Sequence, residues 1–405
     1  AFFNSRRIKK YGFRANLILI SYAKHSLDQD DIDAVINALK GDWLTQGPAC
    51  EKFENDLNSY FGSKYSCAVS NGTAALHLVG LALDWQEEDI IITSPNTFLS
   101  TVNSIVFSGA TPDFVDIEPS TYTIDPNKLE ERVKALLSKG KKIKAVIGVD
   151  YAGHPCDWES LRDIANRYQF KLINDNCHAL GASYLDDKKY AVKYADVVTH
   201  SYHPAKHITT GEGGSILTND KDLDSKVRSL RTHGMTKESN KLFENPGPWY
   251  YEMQELGFNY RITDFQCALG SSQLKKLNKF IAKRTKLAEF YNNSFDNYDF
   301  IKTPMVKNSS NHAYHLYPLL IDFNNLNVSK LDLFNKMKSK DINLQVHYIP
   351  VHLQPFYKLN YGFKKGDFVN SENFYFKELS MPIYPDLTIE ELSFVVESLL
   401  EGINN

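Results

Sequence analysis

Short apolar segments that alternate with amphipathic helical segments are the feature that most restricts the fold of this chain. We predict strands at residues 65–69, 89–93, 111–117, 144–150, 170–176, 196–202 and 214–219. Segments with helical spacing of apolar residues fill the intervals, as at residues 71–83, 126–138, 158–168 and 221–234. Continuous apolar strands separated by helices are typical of a parallel sheet that is covered by helices on both faces. The sequence therefore predicts an α/β protein with a mostly parallel sheet.

The length of 405 residues predicts more than one hydrophobic core. After a long helical pattern at residues 264–295, strand-like segments at 314–322 and 344–347 alternate with helical ones, which indicates a small α+β domain. We therefore expect a large domain at residues 20–285 and a small C-terminal domain at 286–405. Residues 1–19 form an N-terminal extension, and the LILI run at 17–20 is too short for a secretory signal. Because the sequence starts without Met, we expect part of this extension to be an added segment or to belong to a longer precursor.

Composition excludes several classes of function. The formal net charge is −3 at pH 7, and nothing in the overall composition indicates binding to nucleic acids or anionic membranes, which need a basic patch. No run of about 18 apolar residues occurs, so we expect no transmembrane helix. The 5 cysteines are scattered without a CxxC pair, which indicates reduced thiols in the cytoplasm and no metal site.

A lysine stands in a loop rich in glycine and hydroxyl groups between two predicted strands. Residues 201–214 read SYHPAKHITTGEGG, where glycines allow close backbone approach to Lys206 and the Ser201 hydroxyl can bind an anion. A lysine that loses solvent has a lowered pKa, and its free amine becomes a nucleophile towards carbonyl groups. The motif alone is weak evidence, because a loop lysine is more often simply exposed.

Other candidate residues also follow the carboxyl ends of predicted strands, where parallel α/β sheets bind their ligands. The segment NGTAALH at residues 71–77 begins a helix directly after a strand, and helix N-termini bind phosphate through unpaired amides and the helix dipole. A plain N-capped helix is the alternative interpretation of that segment. We expect the following residues to meet at this edge of the sheet: Gly72, Thr73, Ala74, Phe98, Asp175, His178, Ser201 and Lys206.

Together these groups match the needs of pyridoxal 5'-phosphate. Its phosphate needs amide and hydroxyl donors, its pyridine nitrogen needs a carboxylate such as Asp175, and its aldehyde needs an amine such as Lys206. Phe98 offers an aromatic face for stacking. Taken separately, Asp175 is also explained as a turn cap, Phe98 as a core residue and His178 as an interior histidine. A nicotinamide oxidoreductase is disfavoured, because the chain has no GxGxxG motif.

The chain resembles the DegT/DnrJ/EryC1/StrS nucleotide-sugar aminotransferases, which are fold-type I, aspartate-aminotransferase-like enzymes. The likeness extends from about residue 20 to the C-terminus and rests on four motifs: NGTAALH at 71–77, TF at 97–98, DNCHALG at 175–181 and SYHPAK at 201–206. It implies a fold-type I large domain with a mostly parallel, seven-stranded sheet, a small C-terminal domain, and pyridoxal 5'-phosphate as the cofactor.

The resemblance also implies roles for single residues. Lys206 forms the Schiff base and moves protons as general acid and base, Asp175 binds the pyridine nitrogen, and His178 lies near the phenolic oxygen of the ring. The segment GFNYRIT at 257–263 is similar to the one through which a neighbouring subunit contributes an asparagine, here Asn259, to the phosphate. This likeness implies a homodimer with shared active sites.

Further segments resemble the branch of the family that acts in pseudaminic acid biosynthesis, namely WLTQGP at 43–48, VDYAG at 149–153, HLYP at 315–318 and QVHYIPVH at 345–352. That likeness implies transfer of an amino group from L-glutamate to C4 of a UDP-4-keto-6-deoxy-N-acetylhexosamine. On position and resemblance, we expect sugar-nucleotide contacts from Tyr22, Thr45, Tyr348 and His352.

Three alternatives stay open at this point. In the first alternative, the protein is an aminotransferase for another 3- or 4-keto sugar, linked to dTDP or GDP. In the second, it is a regulator that binds the cofactor without turnover. A metal site built from His347 and His352 is disfavoured, because their five-residue spacing across a proline suits a shared ligand geometry poorly.

Overall fold

The computed structural model describes residues 19–307 and 310–404, so that the predicted N-terminal extension lies almost wholly outside the described residues. The strands are β1 Tyr65–Val69, β2 Asp89–Thr93, β3 Thr111–Phe114, β4 Lys142–Val149, β5 Lys171–Asp175, β6 Ser183–Tyr184, β7 Val197–Ser201, β8 Gly214–Thr218, β9 Met235–Thr236, β10 Glu252–Met253, β11 Ile301–Lys302, β12 Ser310–Asn311, β13 Tyr317–Ile321 and β14 Glu378–Met381.

The α-helices of the same residues are α1 Gln29–Lys40, α2 Pro48–Phe61, α3 Gly72–Ala82, α4 Leu99–Phe107, α5 Pro126–Leu137, α6 Trp158–Tyr168, α7 Tyr190–Tyr194, α8 Lys221–Arg231, α9 Asp264–Leu274, α10 Leu277–Phe295, α11 Lys330–Ser339, α12 Pro355–Tyr361, α13 Val369–Lys377 and α14 Ile389–Asn404.

The predicted sheet is confirmed. In the described part of the chain it has seven strands in the order β1-β8-β7-β5-β4-β2-β3. The neighbours from β7 to β3 pair in parallel, whereas β8 is antiparallel to both β7 and β1. Because β1 is thereby parallel to β7, the carboxyl ends of β1, β2, β4, β5 and β7 lie at one edge, and β8 begins at that same edge. The loops that carry the predicted cofactor residues, apart from Asn259, therefore start or end there.

Successive side chains along each strand point to opposite faces of this sheet, so each face has its own apolar core. Val146 packs with the cluster around Trp158, whereas its neighbour Ile147 packs with the cluster around Val79 on the other face. Both faces of the central strands are buried, which is why these strands are continuously apolar in sequence.

A second lobe contains the three-stranded antiparallel sheet β11-β13-β14, covered by α10, α11 and α14. Its apolar cluster includes Ile20, which forms a parallel bridge with Ile342. This placement differs from the predicted assignment of residue 20 to the large domain, because a single bridge formed over a long sequence separation leaves no periodic pattern.

The helix predicted at residues 264–295 is two helices, α9 and α10, which are separated at Lys275 and Lys276. The break lies where Gln273 Nε2 donates to Asp31 Oδ2 at 2.7 Å and Lys276 Nζ lies 2.8 Å from the same carboxylate atom of α1. After the break, α10 contributes Ile281 to the core of the main sheet and Leu287 to the core of the second lobe. The crossover between the two cores therefore lies within α10.

The segment predicted as a strand at residues 344–347 is irregular, with a single bridge between Gln345 and Ser380. Its backbone instead bends so that the side chain of His347 packs beside β14. Among the described residues, no helix combines the length and the apolar character that crossing a membrane requires.

The buried carboxylate of Asp264 fixes the loop that precedes α2. The amides of Gly47 and Ala49 donate to its two oxygens at 2.8 and 3.1 Å, while the N-cap residue Gly47 has no side chain to cap the helix. We expect Asp264→Ala to lower the free energy of unfolding by about 1–3 kcal/mol, because it leaves these two amides without an acceptor. Urea unfolding of the full chain at a fixed cofactor concentration measures this change.

The matched control is Asp30→Ala, which removes an exposed acid from the first turn of α1. It is expected to change the free energy of unfolding by no more than about 0.5 kcal/mol. Equal losses in the two variants would contradict a capping role for Asp264.

Candidate active site

A cavity of about 710 Å³ opens at the edge of the sheet where the strand ends gather. It is lined by all eight residues that were expected to meet there: Gly72, Thr73, Ala74, Phe98, Asp175, His178, Ser201 and Lys206. Tyr22 and Tyr348, which were expected to contact the sugar nucleotide, line it as well. The tertiary structure thus brings residues from distant parts of the sequence to one site of a size typical for a small ligand.

One end of the cavity is formed by the N-terminus of α3. Asn71 is the N-cap, and its Oδ1 accepts from the amide of Ala74 at 2.8 Å. The Ala74 amide is therefore already engaged, and the amides of Gly72 and Thr73 are the better placed anion donors of this turn. A Cβ on Gly72 would lie 2.9 Å from Ser201 Cβ, so glycine is what allows α3 and the Ser201 hydroxyl to approach each other.

The buried carboxylate of Asp175 also lines the cavity and is held on both oxygens. Oδ2 accepts from the Thr101 hydroxyl at 2.7 Å and Oδ1 from the amide of Cys177 at 3.2 Å. The Thr101 hydroxyl in turn lies 2.8 Å from that of Thr97. The sequence analysis did not identify Thr101, although its position one helical turn after Thr97 was a signal that both face the same site.

A second acid, Asp150, supports Asp175 from the neighbouring strand end. Its carboxylate accepts from the side chains of Asn174 and Asn176 at 3.1 and 2.8 Å, and these two residues flank Asp175. It also accepts from Tyr190 at 2.6 Å, and burial raises the pKa of Asp150 to about 6. The sequence analysis quoted Asp150 only within a motif, because the pairing of β4 with β5 that brings it to these asparagines is not local.

Lys206 lies in the loop that joins β7 to β8, and its Nζ is 3.3 Å from His315 Nε2. Burial lowers the pKa of Lys206, as the sequence analysis expected for a lysine that loses solvent. Cys177 and Asp175 act in the opposite direction. Burial keeps Cys177 a neutral thiol by raising its pKa, which leaves Asp175 as the nearby charge that opposes the effect.

His178 is fixed in one tautomer by its two neighbours. The amide of Ala152 donates to Nδ1 at 3.4 Å, so the proton of the neutral ring is on Nε2, which lies 3.0 Å from the Tyr348 hydroxyl. Burial, reinforced by the positive charge of Lys206, lowers the pKa of His178 well below its ordinary value. The ring is therefore a neutral donor beside the lysine.

Residues of the second lobe close the cavity from the side opposite the sheet. Tyr348 lies with its ring 5.7 Å from that of Phe98, whose side chain is 51% exposed and so presents a free face. His347 lies 5.2 Å from the Tyr22 ring, and its Nδ1 lies 2.7 Å from the Ser380 hydroxyl. The sequence analysis named His347 only as a disfavoured metal ligand and did not place it in this site.

Three predicted residues do not line the cavity of their own chain. Thr45 is exposed and bridges to Thr263. His352 is fully buried, and its Nε2 lies 3.0 Å from Glu372 Oε1, which holds the imidazole away from the cavity. Asn259 pairs with Thr232 on the surface of the large lobe.

The structure brings no three potential metal ligands together in the part of the chain that it describes. His347 and His352 instead have separate partners, Ser380 and Glu372. A larger and more open cleft of about 900 Å³ lies beside Arg261, but it contains none of the predicted cofactor residues.

The groups in the cavity fit pyridoxal 5'-phosphate. A helix N-terminus and the Ser201 hydroxyl supply anion donors, Asp175 supplies a fixed carboxylate, Phe98 supplies an aromatic face, and Lys206 supplies an amine. Thr101 forms a hydrogen bond with the Asp175 carboxylate, and His315 forms one with the Lys206 amine. This donor set and the sheet topology are those of a fold-type I pyridoxal-phosphate enzyme.

The chain belongs to the DegT/DnrJ/EryC1/StrS aminotransferase family, whose model matches residues 25–400. The aminotransferases of this family use pyridoxal 5'-phosphate, in agreement with the cavity. The chain is 39% identical over 373 residues to the uncharacterised protein MJ1066 of Methanocaldococcus jannaschii, with 92% of this chain and 95% of that protein covered.

It is also 37% identical over 381 residues to the UDP-4-amino-4,6-dideoxy-N-acetyl-beta-L-altrosamine transaminase of Campylobacter jejuni, with 94% and 96% of the two chains covered. Among solved structures it is similar to Helicobacter pylori PseC, an aminotransferase involved in the biosynthesis of pseudoaminic acid. That similarity has a TM-score of 0.84 and 30% identity, and covers 96% of this chain and 100% of the other.

The first residue of β8 lets the strand pass against the N-terminus of α3. A Cβ on Gly214 would lie 2.6 Å from the carbonyl carbon of Asn71 and 2.8 Å from the amide nitrogen of Gly72, and backbone atoms at such distances cannot yield as a side-chain end can. We expect Gly214→Ala to displace the phosphate-binding turn and to weaken the binding of pyridoxal 5'-phosphate at least about tenfold. A titration of the cofactor-free chain, followed by absorbance, measures this dissociation constant.

Gly41→Ala is the control, since the nearest atom to its Cβ is Ala38 O at 3.4 Å and its φ is −79°. Its dissociation constant is expected to match that of the unaltered chain. Unchanged cofactor binding by Gly214→Ala would show that the first turn of α3 does not hold the phosphate.

Proposed function

We propose that this protein transfers an amino group from L-glutamate to C4 of a UDP-4-keto-6-deoxy-N-acetylhexosamine. The product is UDP-4-amino-4,6-dideoxy-N-acetyl-β-L-altrosamine. The observation that carries the proposal is the buried Lys206 amine, which lies in one cavity with the Asp175 carboxylate and the N-terminus of α3. The choice of sugar is supported by the Campylobacter relative, which is named for this product and is aligned over 94% of the present chain.

The same set of residues is proposed to hold the cofactor. The amides of Gly72 and Thr73 and the Ser201 hydroxyl bind its phosphate, and Asp175 pairs with its ring nitrogen. When bound, pyridoxal 5'-phosphate supplies an electron sink that stabilises negative charge on the carbon from which a proton is removed. Phe98 covers one face of the ring, which also shields the reacting atoms from water.

Lys206 is proposed as the group that moves protons. Burial lowers the pKa of its amine and so favours the uncharged form, which is the form that takes the α-proton of L-glutamate. The same nitrogen then carries the proton to the neighbouring reacting carbon, and the reverse sequence acts at C4 of the sugar. Asp175 would stabilise positive charge at the ring nitrogen.

The tyrosines of the cavity are proposed to orient the sugar nucleotide. Tyr22 reaches the cavity from the chain that leads into α1, and Tyr348 reaches it from the segment between β13 and β14. Each offers an aromatic face and a hydroxyl, and burial raises the pKa of both hydroxyls, which keeps them protonated donors.

The test is a visible absorption titration of the purified full-length protein. The unaltered chain with pyridoxal 5'-phosphate should show the visible band of lysine-bound cofactor, whereas Lys206→Ala should not. L-glutamate should remove the band, and UDP-4-keto-6-deoxy-N-acetyl-L-altrosamine should restore it. Turnover of Lys206→Ala should fall by at least about 10²–10⁴-fold, because the proton transfers lose their acid and base.

The outcomes separate the open alternatives. Recovery only with a dTDP- or GDP-linked keto sugar would keep the enzyme class and replace the substrate. A band that L-glutamate leaves unchanged would indicate a cofactor-binding regulator, and the absence of any band would refute the assignment of Lys206.

We further propose that the protein is a homodimer with shared active sites. Asn259 lies outside the cavity of its own chain, and the adjoining segment exposes large apolar side chains, with Phe243, Trp249 and Leu256 at 90%, 71% and 78% exposure. Such a concentration of exposed aromatic and aliphatic surface is typical of an interface, and a second copy of the chain is the partner that the family resemblance implies.

Subunit mixing tests this arrangement. Lys206→Ala and Asn259→Ala homodimers are each expected to be nearly inactive, the first through chemistry and the second through weak cofactor binding. In a mixed dimer, Lys206 of one subunit and Asn259 of the other form one intact site, so equal mixing should restore about a quarter of the full activity. If Asn259 acted within its own chain, mixing would restore none.

A cytoplasmic location is part of the same proposal. All 5 cysteines are free thiols, and three of them are buried, which suits a reducing compartment.

A further inference from the structure

The amine of Lys206 has a specific partner from the other lobe. Within residues 19–307 and 310–404, the hydrogen-bond partner of its Nζ is His315 Nε2, at 3.3 Å. His315 precedes β13, is 3% exposed, and has its ring 4.4 Å from that of His178. This contact brings an imidazole against the nitrogen that the proposed reaction uses.

The second ring nitrogen decides which tautomer His315 adopts. Its Nδ1 is buried and has no hydrogen-bond partner among the described residues. A neutral imidazole carries one ring proton. If that proton were on Nδ1, a buried N–H would have no acceptor, and a buried donor without a partner is rarer in proteins than an unused acceptor. With the proton on Nε2, only a lone pair is left unused at Nδ1. The geometry therefore favours Nε2–H directed at Lys206.

Burial disfavours the charged form of both members of the pair. Burial lowers the pKa of Lys206 and lowers that of His315 well below its ordinary value. The charged and titratable groups that act on the pair are Asp175, Cys177, His178, His207, Arg284 and His347.

Two of these groups are charged. Arg284 is fully buried, and one of its nitrogens donates to the carbonyl of His315 at 3.4 Å, so a protonated imidazole would meet a fixed positive charge. Asp175 is the opposing charge, and it acts on the lysine. When the Nε2–H of His315 faces an uncharged Lys206 amine, a proton donor meets a lone pair. This arrangement also avoids contact between two positive charges.

We propose that His315 is a positioning residue that donates Nε2–H to the free amine of Lys206 and holds that amine uncharged between proton transfers. This inference rests on the proposed role of Lys206 in amino transfer. When Nζ takes up a proton it has no lone pair left, so the hydrogen bond is replaced by contact between two N–H groups. The proton on Nζ is then released to the reacting carbon, and His315 itself neither gains nor loses one.

The test measures the pKa of the free Lys206 amine in the full-length protein loaded with pyridoxamine 5'-phosphate, in which the lysine is not linked to the cofactor. Competitive acylation across a pH series, read by mass spectrometry of the peptide that contains Lys206, gives this value. His315→Phe removes the donor and keeps the ring volume. It is expected to raise the Lys206 pKa by about 0.5–1 unit, because the uncharged amine loses its hydrogen bond.

His315→Gln places an amide N–H near the position of Nε2 and should return the pKa towards the original value. The matched control is His207→Gln, because His207 is buried beside His315 and bonds Ala313 O at 3.1 Å without touching Nζ. Its amide keeps a donor for that carbonyl, so the Lys206 pKa should not move. In the active variants, the acidic limb of the pH profile of kcat should shift to higher pH with His315→Phe and stay in place with His207→Gln.

The tautomer is read directly in the unaltered protein from long-range ¹H–¹⁵N correlations of the histidine rings, with the His315 signals assigned through His315→Gln. A protonated Nε2 and a bare Nδ1 would support the proposal, and the reverse pattern would overturn it. A Lys206 pKa that falls or does not change in His315→Phe would overturn it as well.

The Lys206 pKa and the His315 tautomer are both measured in the resting protein, so neither measurement needs turnover. A chain with the expected tautomer that fails to exchange its amino group with L-glutamate would refute the proposed function but not the contact. A chain that exchanges normally with the opposite tautomer would refute the role of His315 alone.

Discussion

The removal of one amine from water is the physical constraint on which the rest of this site depends. An ammonium group is costly to bury, so covering Lys206 with the two lobes lowers the pKa of its amine. The polar neighbours of this amine must therefore contact it without favouring its ammonium form. Burial keeps the neighbouring imidazoles of His178 and His315 neutral, and the nearby carboxylate of Asp175 accepts hydrogen bonds from Thr101 and the Cys177 amide.

The parallel sheet makes this arrangement possible because it gathers strand ends at one edge. β1 leads into the N-terminus of α3, β5 ends in Asp175, and β7 leads into the loop of Lys206. The adjacent strand β4 adds Asp150, whose hydrogen bonds to Asn174 and Asn176 hold both neighbours of Asp175. A rigid carboxylate against the ring nitrogen of the cofactor thus results from strand pairing and from a buried polar network together.

The second lobe completes the cavity. Ile20 anchors the beginning of the described chain in that lobe, and α10 carries the chain from the core of the large lobe into it. His315 and Tyr348 then return to the sheet edge from segments that precede β13 and β14. Burial of Lys206 therefore depends on contacts between lobes, and any change in how they approach would alter the environment of the amine.

Much of this protein was determined by local sequence. Periodicity predicted the strands of the main sheet, because apolar runs of five residues between capped helices are compatible with few other structures, and the β1 and β2 boundaries agree with the prediction residue for residue. The motifs around Gly72, Asp175 and Lys206 predicted the cofactor, because each supplies a different group that it needs.

Only the tertiary structure decided which side chains meet. It separated His352, paired with Glu372, from the cavity. It brought Thr101 to Asp175, Asp150 to Asn174, and His315 to Lys206. It also divided the helix at residues 264–295, where contacts with α1 compete with continued helical hydrogen bonding. Such choices depend on hydrogen bonds and packing between residues up to some hundreds of positions apart, which leave no periodic trace in the sequence. Local pattern thus determined the elements and the chemistry they carry, and long-range packing determined the burial that lowers the pKa of the amine at their centre.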